Sequence, residues 1–202
     1  MVVHLVANQV TGVRFPLPAH PPFGRDERGS PARGEAARSV TMRITSPAFE
    51  HNRRIPGKYT CDGENVNPPL SFSEVPKNTK SLVLIVDDPD APSKTASNAA
   101  GAWVHWVVYN IDSATREVSE NSVPRGGQEG LTDFGNPGYG GPCPPSGNHR
   151  YFFKLYALDS ALNLSQKSDK QSLFANKKAV EEAMQGYILD STELVGLYER
   201  KR

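Results

Sequence analysis

The sequence predicts a mainly β domain, a sandwich or barrel-like set of strands with peripheral helix added late in the chain. Three observations lead there. Three apolar runs rich in β-branched and aromatic residues, SLVLIVDD (81–88), WVHWVVYNI (103–111) and HRYFFKLYALD (149–159), have the character of buried strands. Glycine, proline and asparagine punctuate the chain between them, as turns require. Helix signals come only after these runs, and strands followed by helices mark a β-rich domain decorated by helix.

The elements can be taken in order. Residues 42–80 carry SPAF, IPGKY, CDGENVNPPL and SEVPKNTK, which read as short strands joined by loops. The runs 81–88 and 103–111 are near-continuously apolar and should be buried on both faces. DPDAPSKTASNAAGA between them is a loop by every local sign, and 112–140, with PRGGQEG and DFGNPGYGG, is a long irregular connection of the kind that tends to be functional. In 149–159 the odd positions His149, Tyr151, Phe153, Leu155 and Ala157 form the more apolar set and should face the core. Ser168 with Gln171 resembles a capping box, Leu173, Val180 and Met184 recur near helical spacing, and Gly186 is a plausible stop. ELVGLYER reads as a last strand.

Composition divides the chain near Met42. Residues 1–41 hold five Arg, no Lys, five Pro and four Gly without a sustained period, which reads as a disordered extension or as upstream sequence before the true start. Residues 42–202 form the domain and carry 18 basic and 19 acidic side chains. That near-neutral body argues against a nucleic-acid partner and against electrostatic docking on an anionic membrane. VVHLVANQV is interrupted by polar residues and reads neither as a signal peptide nor as a membrane span. The expected location is cytoplasmic, or periplasmic if residues 1–41 act in export. Cys61 and Cys143 allow one disulfide or two thiols, and without a secretion signal reduced thiols are expected.

Polar residues cluster at the ends of the apolar runs. Asp88 closes the first, with Asp90 beyond a proline, and His149 and Tyr151 open the third. His105 lies in the second, where simple alternation gives it the same face as Trp103 and Val107. Strand ends beside loops are where sites are built. Each residue alone has a plainer explanation: His105 as a satisfied core residue, the DPD stretch as a turn with Asx hydrogen bonds, Tyr151 as core filling.

DPDAP (88–92), WVHW (103–106) and GYGGPCPPSGNHRY (138–151), in that order, resemble the phosphatidylethanolamine-binding protein family, and more closely its bacterial Raf-kinase-inhibitor-like branch. YTCDGENVNPPLSF (59–72) and ELVGLYER are similar to further segments of that branch, so the resemblance covers 42–202 and none of 1–41. It implies an antiparallel β-sandwich with peripheral helices and a non-enzymatic pocket for small anions, phosphate monoesters or phospholipid head groups, with modulation of phosphoproteins or kinases as a further implication. Carried over position by position, the pocket comprises Asp88, Asp90, Trp103, His105, Gly141, Pro142, Cys143, Pro144, His149 and Tyr151. Two departures stand out. Val104 stands where mammalian members carry a second histidine, and GPCPP is longer than their GPP, which leaves open which proline forms the wall. The implied partners are a small anionic ligand or head group and a phosphoprotein, a homodimer stays open, and no cofactor is expected.

The chemistry of such a pocket poses a conflict. Pro142, Pro144 and Pro145 have no amide hydrogen, so the loop's donors reduce to Gly140, Gly141, Cys143, Ser146 and Gly147, which would form a rigid anion cradle. Two aspartates beside an anion repel it, by about 3 kcal/mol for one pair about 5 Å apart at an effective dielectric near 20. Either a carboxyl keeps its proton, its pKa raised by burial and its neighbour, or the carboxylates hold His105 and His149 as imidazolium. The alternative function is a metal-dependent hydrolase using the same Asp/His cluster. Ser146 lacks the context of a nucleophile elbow.

Overall fold

A computed structural model describes residues 41–91, 101–164 and 174–200. Residues 1–40 of the expected extension 1–41, most of the loop after Asp90, and Ser168, Gln171 and Leu173 lie outside the described residues. The strands are β1 (Arg43–Thr45), β2 (Arg53–Arg54), β3 (Leu70–Ser73), β4 (Ser81–Asp88), β5 (Trp103–Asp112), β6 (Glu117–Val118), β7 (Gln128–Glu129), β8 (Asn148–Leu158) and β9 (Ile188–Glu199), with one helix, α1 (Lys177–Ala183). They form a three-stranded sheet ordered β1-β3-β6 and a six-stranded sheet ordered β2-β9-β8-β4-β5-β7. The long pairings β4–β5, β4–β8 and β8–β9 are antiparallel, while the two-residue β2 joins β9 in parallel.

The three apolar runs are adjacent strands at the centre of the large sheet, with β4 between β5 and β8. Every residue of β4 is buried, because both faces of the sheet are covered. Leu82, Leu84 and Val86 pack with Ile44, Leu70, Phe72 and Val118 of the small sheet. Val83 and Ile85 pack on the other face with Val180 and Met184 of the helical segment. Full burial of such side chains contributes roughly 1.5–3 kcal/mol each. In β8 the alternation is as expected, with His149, Tyr151, Phe153, Leu155 and Ala157 all buried.

The described helix is short. Its N-cap is Asn176, whose side chain accepts from the Ala179 amide at 2.9 Å. Gly186, with φ +83°, follows its end, and the last strand begins at Ile188, well before ELVGLYER. A buried ion cluster ties the helix down: Lys177 Nζ lies 2.6 Å from Asp87 of β4, whose carboxylate also meets Lys154 of β8. The connection 112–140 is less irregular than its composition suggests, since it contains β6 and β7. Among the described residues no helix is long and apolar enough to cross a membrane.

Candidate functional site

Antiparallel pairing brings the site together. The C-terminal end of β4 meets the N-terminal ends of both its neighbours, so Asp88 pairs with Trp103, the first residue of β5. On the other side Asp87 pairs with Phe152, which sets His149 and Tyr151 at the same rim of the sheet. A cavity of about 230 Å³ opens there. Asp88, His105 and His149 supply its polar groups, Ala91, Trp103 and Phe134 its apolar walls, and Cys143, Pro144 and Pro145 its loop side.

His105 reaches this cavity through a bulge. Val86 pairs with Trp106 and Asp87 with Val104, so His105 is an extra residue on its strand. A bulge of this kind interrupts alternation and re-aims a side chain. The simple parity that placed His105 with Val107 is therefore corrected: Val104 and Val107 pack together towards the helix, whereas Trp106 and Val108 belong to the core between the sheets. The His105 ring stacks edge-on against Phe134 at 5.4 Å and Tyr151 at 5.1 Å, and Trp103 meets Phe134 at 5.5 Å.

Asp88 is engaged on both oxygens. His149 Nδ1 lies 2.8 Å from Oδ2. The Asp90 and Ala91 amides donate to Oδ1 at 2.8 and 3.1 Å, the Asx turn that DPD favours locally. Turn and pocket roles thus coexist in one residue. With Nδ1 donating to the carboxylate, Nε2 is the nitrogen His149 has left for a ligand.

Asp90 is placed differently from the expected acidic pair. It is absent from the cavity wall and binds Arg150, accepting from Nε at 2.9 Å and Nη2 at 2.7 Å. The Arg150 guanidinium holds this carboxyl below the usual carboxylate range, against the raised value expected for a crowded pair. His105 also departs from expectation. Its Nδ1 lies 2.6 Å from the Gly140 carbonyl and so carries the proton, while burial lowers its pKa. His105 is thus a neutral imidazole at pH 7 with an accepting Nε2, and the expected imidazolium is corrected.

The loop's base is fixed by its own amides. Gly140 N–H donates to the His105 carbonyl at 2.9 Å and Gly141 N–H to Asn65 Oδ1 at 2.8 Å. Neither is left for an anion, so the expected set of loop donors shrinks to Cys143, Ser146 and Gly147. At Gly141 a Cβ would meet Tyr59 O and Asn65 Oδ1 at 2.6 Å, so only glycine allows this approach. The Pro142 carbonyl accepts from Cys61 N–H at 3.1 Å, and neither Gly141 nor Pro142 lines the cavity. Cys61 and Cys143 form a disulfide with their Cα atoms 5.4 Å apart, which corrects the expected reduced thiols. The bridge holds the proline wall to the loop following the one-turn helix Gly57–Tyr59.

Tyr151 lies behind His105 rather than on the cavity wall, and its buried hydroxyl is near the Asp88 carboxylate without a well-aligned hydrogen bond to it. Burial, then the nearby Asp88 charge, raises its pKa. Phe134 and Ala91 are the lining residues that sequence reasoning missed. Phe134 is a lone large apolar residue in a glycine-rich stretch, and that isolation is the signal that could have found it. Among the described residues no group of three or more His, Cys, Asp or Glu side chains is placed to hold a metal ion.

Comparison with known proteins adds to this geometry. The sequence profile described as phosphatidylethanolamine-binding protein matches residues 45–199. A UPF0098 protein of Methanothermobacter thermautotrophicus is 48% identical over 164 residues, covering 79% of this chain and 99% of the relative. A solved phosphatidylethanolamine-binding protein homolog of Chlamydia trachomatis superposes with a TM-score of 0.70 at 44% identity, covering 81% of this chain and all of that one. Escherichia coli YbcL superposes with a TM-score of 0.66 at 29% identity, covering 79% and 99%.

Proposed function

This chain belongs to the phosphatidylethanolamine-binding protein family, and from that membership we propose that its cavity binds small anions non-enzymatically, phosphate monoesters or phospholipid head groups in particular. The observation that carries the reading is the Asp88–His149 pair in the cavity wall, 2.8 Å apart and both buried. Asp88 spends its acceptors on His149 and two backbone amides, so it orients the imidazole instead of presenting bare oxygens to a ligand. In its doubly protonated form His149 donates Nε2–H to an anionic oxygen. Neutral His105 offers an acceptor nitrogen to a P–OH group.

The apolar walls suit the organic side of a monoester. Trp103 and Phe134 meet at 76° and form a corner beside the polar end. The hydrolase alternative has no three-ligand cluster among the described residues, and both Nδ1 atoms are already committed to protein acceptors. Modulation of a phosphoprotein is the same chemistry with the monoester on a protein side chain.

Titration with inorganic phosphate, phosphoethanolamine and a phosphopeptide, followed on the histidine ring protons by NMR, tests the reading. Saturable shifts of the His149 and His105 signals are expected, and His149→Ala abolishes them. Unmoved histidine signals with all three ligands overturn the reading. Preferential binding of the phosphopeptide assigns a protein partner.

A further inference from the structure

We propose that the Cys61–Cys143 disulfide is a redox latch on the cavity, closing its proline wall when oxidised and releasing it, with loss of anion affinity, when a dithiol reduces it. The proposal rests on the anion-binding reading of the same cavity and adds a control to it.

The two cysteines belong to unequal partners. Cys61 sits in an anchored loop: its neighbour Asp62 accepts from the Tyr198 hydroxyl at 2.8 Å and from Arg200 Nη2 at 2.8 Å, which ties the loop to β9 and the residue after it. Cys143 sits in the wall itself. It lines the cavity and is followed by Pro144 and Pro145, which line it too. Upstream of Cys143 the wall is held without the bridge, by the Gly140, Gly141 and Pro142 bonds to His105, Asn65 and Cys61. Downstream, Pro144 and Pro145 have no N–H to donate, Gly147 takes φ +75°, and strand pairing resumes at Asn148 opposite Glu199. The disulfide is the covalent cross-link between this stretch and the anchored Cys61 loop.

The bridge is also reachable. Cys143 is exposed whereas Cys61 is half-buried, so an incoming thiolate has access to the Cys143 sulfur. Attack there forms a mixed disulfide at Cys143 and expels the Cys61 thiolate. The second thiol of the reductant then closes its own disulfide and releases Cys143. Two electrons and two protons pass from the dithiol, leaving two protein thiols and one oxidised reductant. Cys143→Cys61 scission lets the wall relax, and a cavity whose wall must be ordered by its ligand binds that ligand more weakly.

The test uses the full chain, oxidised and after excess dithiothreitol, with thiols counted by alkylation and mass. Inorganic phosphate is titrated into both and followed on the histidine ring protons. Reduction should weaken binding at least about fivefold, the low end of ordinary coupling between sites. By reciprocity, saturating phosphate should raise the dithiol-to-disulfide ratio needed for half-reduction by the same factor. Equal affinity in the two forms, with two thiols titrated, overturns the latch and leaves the anion reading intact.

Oxidised protein that ignores phosphate overturns the anion reading instead. Amide hydrogen exchange then judges the latch on its own: faster exchange at Cys143, Ser146 and Gly147 after reduction supports it, and unchanged exchange overturns it. The Cys61→Ser/Cys143→Ser variant should behave as the reduced protein and ignore dithiothreitol. A variant that binds phosphate as tightly as the oxidised protein overturns the latch, and if it does not fold, the reduced natural chain still decides.

Discussion

His149 Nδ1 lies 2.8 Å from Asp88 Oδ2 across 61 residues of sequence, and the partner of Asp90 is Arg150, the next residue along. Two aspartates two positions apart thus serve two different basic side chains. Asp88→Asn keeps an acceptor near His149 but removes the charge paired with its ring. A hydrogen bond to a charged group contributes about 1.5–3 kcal/mol, so phosphate affinity should fall roughly tenfold or more. Asp90→Asn should leave it nearly unchanged. Calorimetric titration of both variants checks the contrast, and equal losses would mean that both carboxylates face the ligand.

Anion affinity should rise as pH falls from about 8 to about 6, because a monoester nears its second pKa of about 6 there and its P–OH form can donate to the accepting Nε2 of His105. A flat affinity across the range counts against the His105 acceptor.

Stability should move the other way. His105 has a folded pKa below its unfolded value, since burial disfavours the cation. Its contribution is fully present above the unfolded value of about 6.5 and is lost as pH falls from there through the folded pKa. Urea unfolding at a series of pH values should show stability falling below that point. His105→Asn should flatten this part of the curve, and an unchanged slope would move the effect to another group.

Much of this architecture was legible because burial on both faces leaves a direct mark. Three apolar runs became three neighbouring strands, and the odd set of β8 turned inward because alternation in a regular strand is a geometric necessity. The placement of His105 was not legible in the same way. Its bulge is a backbone irregularity between Val104 and Trp106, and no side-chain pattern in WVHW announces an extra residue. The disulfide was hidden for a different reason, since 82 residues separate the cysteines and spacing says nothing about their distance. Arg150 was in plain view beside His149, but only the fold shows that its chain turns towards Asp90.

The ion cluster under the helix carries a stability prediction. Asp87 is fully buried and meets Lys177, itself 4% exposed, at 2.6 Å. Removing one partner of a buried pair leaves an uncompensated charge, which costs about 3–5 kcal/mol. Asp87→Ala should therefore destabilise the domain by that amount. Asp87→Leu combined with Lys177→Met should recover the share owed to Lys177, while Lys154, which meets the same carboxylate, keeps its charge. Denaturant unfolding of the single and double variants measures the difference, and additive losses would show that the pair is not coupled.

Gly141→Ala tests the base of the proline loop. A Cβ there would sit 2.6 Å from Tyr59 O and from Asn65 Oδ1, and 2.8 Å from Thr60 Cα. Two of these three atoms are backbone, so the strain cannot be relieved by a side-chain rotation alone. The loop must shift, and overpacking of this kind costs about 1–3 kcal/mol. The Gly141–Asn65 hydrogen bond and the Cys61–Pro142 bond lie directly in the path of that shift. Gly141→Ala should therefore lose stability and also weaken phosphate binding, although Gly141 does not line the cavity. Asn65→Ala removes the acceptor without adding bulk, and should reproduce the binding loss in smaller measure. A Gly141→Ala protein with unaltered phosphate affinity would show that the wall is positioned independently of its base.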